Sequence, residues 1–339
     1  METLIFGINA VLPLLLLIGL GYLLSRIGFL NEHFLVYANR FVFRIALPAM
    51  LFFTIYNASG LEDINWSVLL YAVIGVGILF VFGLISVVFL VKGSEKKGVV
   101  LQSVFRSNMA ILGIPLAEAL GGEPAVLGVA LISLAVIPLY NVLSVISLTM
   151  FQHDDQGQKV PWHRILLKII TNPLIIAIAL GIIVLLIRSV IPISEETLEP
   201  VFSIKKDLEF LYTFIKWVSQ IASPLALIIL GGGFQFTAVR SLRKEIIIGT
   251  SWRILIAPLF GLSVAVILSK YTSFFHFESY DYPALIATFG SPVAVTSAIM
   301  AKEMGGDERL AGQIVVWSSL FSIVTIFIIV IVFRSLEIL

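Results

Sequence analysis

Ten apolar runs of roughly 20 residues follow one another along the chain with only short polar breaks between them, each about the length a helix needs to cross a bilayer. They fall at 4–26, 34–57, 66–91, 98–120, 124–150, 164–190, 209–234, 245–269, 281–304 and 309–334. In lipid every backbone polar group must pair internally, so such a chain folds as membrane-spanning helices. Composition points the same way: 59% of the residues are hydrophobic and 13% charged, with a mean hydropathy of +1.05. A soluble domain carries about 25% charged residues. The excess apolar surface therefore faces the lipid bilayer. The expected fold class is an all-α polytopic membrane protein of ten transmembrane helices. The first run follows Met1-Glu2 with no basic segment and is longer than a signal-peptide core, so it reads as the first span.

Several function classes drop out. The longest polar connections are Gln152–His163 and Pro192–Asp207, which leaves no room for a soluble domain. There is no GxxxxGK[ST] run for nucleotide, no HExxH, no GxSxG elbow and no paired intramembrane aspartate. The absence of cysteine removes disulfides, thiolate metal sites and thiol nucleophiles. His33, His153, His163 and His276 fall in connections or at span ends. No catalytic residue, metal site or cofactor is expected. A net charge of +1, with no basic cluster longer than Lys96-Lys97 or Arg243-Lys244, gives no reason to expect a nucleic-acid partner.

Orientation follows the basic residues of short connections. The odd-numbered ones carry Arg26; Lys92, Lys96 and Lys97; Lys159, Arg164 and Lys168; Arg240, Arg243 and Lys244; Lys302 and Arg309. The even-numbered ones carry only Arg188, Lys205, Lys206 and Lys270. The odd connections are thus expected in the cytoplasm of a cell, with both termini on the other side of its inner or plasma membrane.

Five spans per half would place the halves in opposite orientations, and their sequences resemble each other. Pro13-Leu14-x-x-x-Ile18-x-Leu20-Gly21 recurs as Pro173-Leu174-x-x-x-Ile178-x-Leu180-Gly181. Ile45-Ala46-x-Pro48-x-x-Leu51 recurs as Ile221-Ala222-x-Pro224-x-x-Leu227, and Phe82-Gly83-Leu84 as Phe260-Gly261-Leu262. Ser107, Ala110, Ala117 and Gly121-Gly122 recur as Ser291, Ala294, Ala301 and Gly305-Gly306. The matches keep chain order at equivalent helices, which predicts two inverted five-helix repeats over 1–151 and 164–339 with a linker at 152–163. Inverted repeats are a signature of secondary transporters, whose sites lie where broken helices meet.

Two spans carry such breaks. In the fourth, Arg106-Ser107-Asn108-Met109 leads to Gly113-Ile114-Pro115; proline removes a donor and clashes with the turn before it, so the break is expected around Ile111. In the ninth, Ser291-Pro292-Val293-Ala294-Val295-Thr296-Ser297 is equivalent, with Pro292 aligned to Asn108. Paired breaks at one depth put half-helix N-termini in the interior, where free N–H groups and the helix dipole favour an anion. The prolines at 13, 48, 138, 173, 224 and 258 are expected to be packed kinks.

Phe105-Arg106-x-Asn108-x-x-x-x-Gly113-Ile114-Pro115-Leu116 with Gly121-Gly122 resembles the fourth-helix motif of the auxin efflux carrier family. Ser291-Pro292-x-Ala294 with Ala301-x-x-x-Gly305-Gly306-Asp307 resembles its ninth-helix counterpart. The family is similar in fold to the bile-acid sodium symporters. The resemblance implies a scaffold of helices 1, 2, 6 and 7, a transport domain of helices 3–5 and 8–10, a crossing of broken helices 4 and 9 at mid-membrane, elevator-type alternating access and often a homodimer. It also implies that Asn108, Pro115 and Pro292 form the crossing and that Tyr140-Asn141 face it. Plant members have a long loop between helices 5 and 6. The short one here matches bacterial-type members and argues against auxin as the substrate.

Ionisable residues inside spans are functional candidates by default. Arg106 lies near mid-membrane; Arg44, Lys216 and Arg253 lie nearer span ends; Glu118, near the outer end of helix 4, is the only acid well inside a span. Surplus positive charge favours an anionic substrate. Arg106 either pairs with a substrate carboxylate, which its planar fork suits, or caps the first half-helix. Arg44 is expected to snorkel, and Lys216 and Arg253 to pair with interface groups or headgroups. Asn108 offers a donor and an acceptor, and Ser291, Thr296 and Ser297 offer hydroxyls. The candidate substrate-binding set is Arg106, Asn108, Met109, Gly113, Pro115, Tyr140, Asn141, Ser291, Pro292, Val293, Thr296 and Ser297. The expected function is secondary transport of small organic anions, carboxylates such as malonate, malate or lactate. A sodium-coupled symporter and a non-transporting sensor are the alternatives.

Overall fold

The computed structural model describes residues 2–57, 65–152, 163, 166–167, 170–192, 201–234 and 237–339. Most of the linker expected at 152–163, and the side chains of Pro115 and Glu118, lie outside the described residues. Among those described the secondary structure is helical: α1 (Glu2–Arg26), α2 (Glu32–Tyr56), α3 (Trp66–Leu90), α4 (Ser94–Phe105), α5 (Met109–Thr149), α6 (Pro173–Val190), α7 (Glu209–Gly232), α8 (Val239–Tyr271), α9 (Tyr282–Gly290), α10 (Thr296–Glu303) and α11 (Glu308–Ser335). Seven helices among the described residues are long and apolar enough to cross a membrane. The pairs α4/α5 and α9/α10 are interrupted.

Local chemistry sets many of the ends. Asn31 accepts from the Phe34 amide at 2.8 Å, Asn172 from Leu174 at 2.9 Å and Asp307 from Leu310 at 2.9 Å; each satisfies a first-turn donor that the helix cannot. Gly122 lies at φ 62° and kinks α5, a conformation costly for any residue with a Cβ. α2 and α8 each widen to a π-helix, over Val42–Ala46 and Trp252–Ile256, just before Pro48 and Pro258. A proline cannot donate to the carbonyl four residues back, and its ring presses on it. The preceding turn opens instead, and Leu47 and Ala257 donate to Val42 and Trp252, five residues back.

The helices pack mainly within two sets, which meet where α1 lies on α11. α1 lies along α7, and α2 packs on both α6 and α7. α1 and α7 approach backbone to backbone at Gly21 and Gly231, where a Cβ would overlap the Ile228 and Ile18 carbonyls respectively. Small residues allow this in membranes, where close contact drives association. In the second group α5 packs on α4 and α9, α4 on α3, and α8 on α9 and α11. Large apolar side chains such as Phe89, Phe210 and Leu259 point outward, each more than 70% exposed, as a lipid-facing surface requires.

The broken helices meet. Ser107 and Val293 form an antiparallel backbone bridge. The Asn108 amide donates to the Pro292 carbonyl at 2.8 Å and the Ala294 amide to the Arg106 carbonyl at 3.3 Å. Ser291 is extended, at φ −69° and ψ 152°, as the residue before a proline should be. One expectation is corrected here: the first break lies at Arg106–Asn108, not around Ile111, and α5 is helical from Met109 through position 115.

Candidate functional site at the helix crossing

A helix that stops in the membrane interior leaves carbonyls without donors, and each needs another partner. Ordinarily the Asn108 and Met109 amides would serve the Val104 and Phe105 carbonyls. Asn108 instead serves Pro292. On the other strand Pro292 has no N–H for Thr288, and Val293 donates to Ser318 Oγ at 3.1 Å. One side chain answers for all four carbonyls. Arg253 donates through Nη1 to Val104 O at 3.4 Å and Phe105 O at 3.0 Å, and through Nη2 to Thr288 O at 3.0 Å and to Phe289 O. It is fully buried. The expected pairing of Arg253 with interface groups or headgroups is therefore wrong. Arg253 lies eight residues inside its apolar run, about 12 Å along a helix, a depth that was the available signal.

Arg106 meets different acceptors. It is 4% exposed, and its guanidinium reaches Thr296 Oγ1 at 2.7 Å, Asn141 Oδ1 at 3.2 Å and the Met300 sulfur. None of these is a half-helix carbonyl. Of the two roles open to Arg106, capping belongs to Arg253. Neither arginine has an acidic partner among the described residues. Lys216 and Arg44 are exposed.

Beside Arg106 lies a cavity of about 40 Å3. Arg106, Ser107, Asn108, Tyr140, Asn141 and Thr296 supply a polar wall, joined by Ala294 and Ile137. Leu47, Met50, Leu51, Leu174 and Ser223 supply the facing wall from α2, α6 and α7. Tyr140 Oη donates to the Thr288 carbonyl at 3.1 Å and shares a hydrogen bond with Ser107 Oγ at 3.1 Å. Asn141 Nδ2 is turned back to the Ile137 carbonyl at 2.8 Å, leaving Oδ1 for Arg106. The Asn108 carboxamide nitrogen is buried with no partner, a donor left over in the cavity wall.

Of the sequence candidates, Arg106, Asn108, Tyr140, Asn141 and Thr296 come together at this cavity. Met109, Gly113, Ser291, Pro292, Val293 and Ser297 are buried around it without lining it. Met109 receives the Thr288 hydroxyl at its sulfur at 3.6 Å, and Ser291 and Ser297 hold unpartnered hydroxyls. The Pro115 side chain lies outside the described residues. Sequence reasoning did not select the facing wall, yet its signal was present: Leu51, Leu174 and Ser223 fall inside the segments that recur between the halves.

A larger cavity, about 930 Å3, opens at the end of the molecule that carries Glu95, Lys96, Gln152 and Glu303. It runs toward the crossing along the same helices. Phe43, Thr149, Asn172 and Met304 line it where Leu47, Asn141, Leu174 and Thr296 line the inner cavity.

The chain is similar to an uncharacterized transporter of Methanothermobacter thermautotrophicus, 22% identical over 327 residues that cover 94% of this chain and 95% of that one. From residue 6 to residue 330 it matches the membrane transport protein family, which holds the auxin efflux carriers. Interrupted helices that meet in an apolar interior, and a family match over nearly the whole length, place this chain in that family as a multi-pass membrane transporter.

Proposed function

We propose that this transporter carries small organic anions, with carboxylates such as malonate, malate or lactate as the class, and binds them at the crossing by Arg106 and Asn108. The observation that carries this reading is Arg106 itself: a buried guanidinium whose partners are an amide oxygen, a hydroxyl and a thioether. A buried charge is expensive without a counter-charge, and here a carboxylate substrate would supply one. A thioether is a weak acceptor, so the donor now on Met300 is the one a carboxylate would take. The Asn108 carboxamide nitrogen supplies a further donor, and the α5 and α10 N-termini add partial positive charge.

In this reading the ten expected spans form two inverted repeats. α1, α2, α6 and α7 are the scaffold, and the remaining helices move against it as an elevator. A cavity with one wall from each set of helices supports this, and the packing of α1 on α11 is the contact that such a movement would have to slide along. At about 40 Å3 the cavity has room for only a few waters, so a carboxylate enters by parting the two walls. The large cavity opens on the side of the basic connections, which we read as cytoplasmic in a cell membrane.

Flux into proteoliposomes tests this, with an imposed potential, a panel of mono- and dicarboxylates, and sodium present or absent. Saturable, sodium-independent flux of one anion is expected. Arg106→Gln removes charge-assisted bonds worth about 1.5–3 kcal/mol and should raise the apparent KM roughly 10- to 100-fold. An unchanged KM in Arg106→Gln would remove this arginine from the site, and sodium-dependent uptake would replace the reading with a symporter.

A further inference from the structure

Arg253 is not among the residues that line the cavity, and none of its hydrogen bonds goes to one that is. Its donors go to the last two carbonyls of α4 and to Thr288 and Phe289 near the end of α9. It therefore joins the two half-helix C-termini across the Ser107–Val293 bridge. We propose that Arg253 is a positioning residue for anion binding, a clamp that fixes the crossing and cancels the negative ends of the two half-helices beside it. The proposal rests on the anion-carrier reading for its effect on affinity. The clamp itself stands on the four carbonyls.

The electrostatic part follows from the geometry. Each half-helix C-terminus carries a partial negative charge, on the order of half an elementary charge, and each N-terminus the opposite. At this crossing both kinds of end meet within a few residues: α4 stops at Phe105 and α5 starts at Met109, while α9 stops at Gly290 and α10 starts at Thr296. Left bare, the two negative ends would offset the positive N-termini that face the cavity. A guanidinium on the negative ends removes that offset and leaves the N-termini and Arg106 to set the potential. The mechanical part is as direct. Asn108 can donate to Pro292 rather than to Val104 because Arg253 satisfies Val104 in its place.

A lysine keeps the charge but has no planar fork and cannot span four carbonyls on two strands. A methionine keeps the length and loses the charge. Arg253→Lys and Arg253→Met would be compared with the wild type and Arg106→Gln by hydrogen exchange across 105–109 and 290–297, and by carboxylate flux in proteoliposomes. For Arg253→Lys we expect a folded, monodisperse protein in which exchange rises about tenfold at both strands together, equivalent to roughly 1.4 kcal/mol of opening free energy. The apparent KM should rise severalfold with the maximal rate within about twofold, and further in Arg253→Met. Arg106→Gln should raise KM with crossing exchange unchanged. Exchange and KM that match the wild type in either folded Arg253 variant would overturn the proposal. Loss of the folded protein in both would also overturn it, by assigning Arg253 to folding alone. If the wild type carries no anion in the panel, the carrier reading fails. The exchange result then decides the clamp by itself: raised exchange keeps it, unchanged exchange ends it.

Discussion

Arg106 and Arg253 both serve the Ser107–Val293 crossing, and the acceptors they meet separate their roles. Arg253 spends its Nη donors on backbone carbonyls, a stable arrangement that no ligand could profitably displace. Arg106 holds one strong contact, the Thr296 hydroxyl, and weaker ones to Asn141 and Met300. Asn108, two residues on, has a buried carboxamide nitrogen with no partner. A donor in that state costs on the order of 1–3 kcal/mol, which a carboxylate oxygen would recover. Two substitutions at this position should behave differently. Asn108→Ala removes the donor and should raise the apparent KM about tenfold by the same ledger. Asn108→Asp puts a fixed carboxylate beside Arg106 and should abolish saturable anion uptake while leaving the fold intact, since it gives the arginine a counter-charge. Equal flux from the two variants, measured in the same vesicles, would mean that charge at this position does not matter.

At the scale of the helix, close approach and interruption decide most of the architecture. α1 and α7 touch through Gly21 and Gly231, and a Cβ at position 231 would fall on the Ile18 carbonyl. Gly231→Val should therefore force the helices apart and cost about 1–3 kcal/mol, the usual range for overpacking, seen as an earlier midpoint in detergent unfolding. Gly19→Val, at a position where a Cβ meets nothing within 4 Å, should unfold close to the wild type. The apolar runs made α3, α7 and α11 legible from the sequence, because twenty lipid-compatible residues have few other ways to pair their backbone. The paired breaks were legible too, at Pro292 through its missing donor. The position of the first break was not. Pro115 pointed to Ile111, yet α4 stops at Phe105, because its last carbonyls are served by an arginine 148 residues away. Local pattern contains propensity and period; it does not contain which distant side chain will take a carbonyl. Arg253 was misread for the same reason. A charge eight residues into an apolar run resembles one that pairs with headgroups until the four half-helix carbonyls that it serves are found beside it.

Across the whole molecule, the two cavities line up on α2, α5, α6 and α10, and side-chain hydrogen bonds join the two sets of helices beside them: Asn172 at the start of α6 donates to the Met304 sulfur at 3.8 Å, and a stronger bond lies nearby. Asn39 on α2, 1% exposed, donates to Glu303 Oε1 at the end of α10 at 2.7 Å. Asn39 belongs to the group read as scaffold, and Glu303 to the group read as moving. If α10 rides with a domain that slides past α2, this contact must break in every cycle. If the helices only flex around a fixed crossing, it can persist. The chain contains no cysteine, so Asn39→Cys with Glu303→Cys creates a single addressable pair. Joining the two thiols with a short bis-methanethiosulfonate, which forms a disulfide at each cysteine and releases methanesulfinate, should stop flux almost completely and leave substrate binding measurable from the open side, and reduction of those disulfides by excess thiol should restore transport. Each single variant treated the same way should keep its flux. Transport that continues through the intact cross-link would show that α2 and α10 stay together during the cycle, and the elevator would have to give way to a local gate between the cavity of about 930 Å3 and that of about 40 Å3.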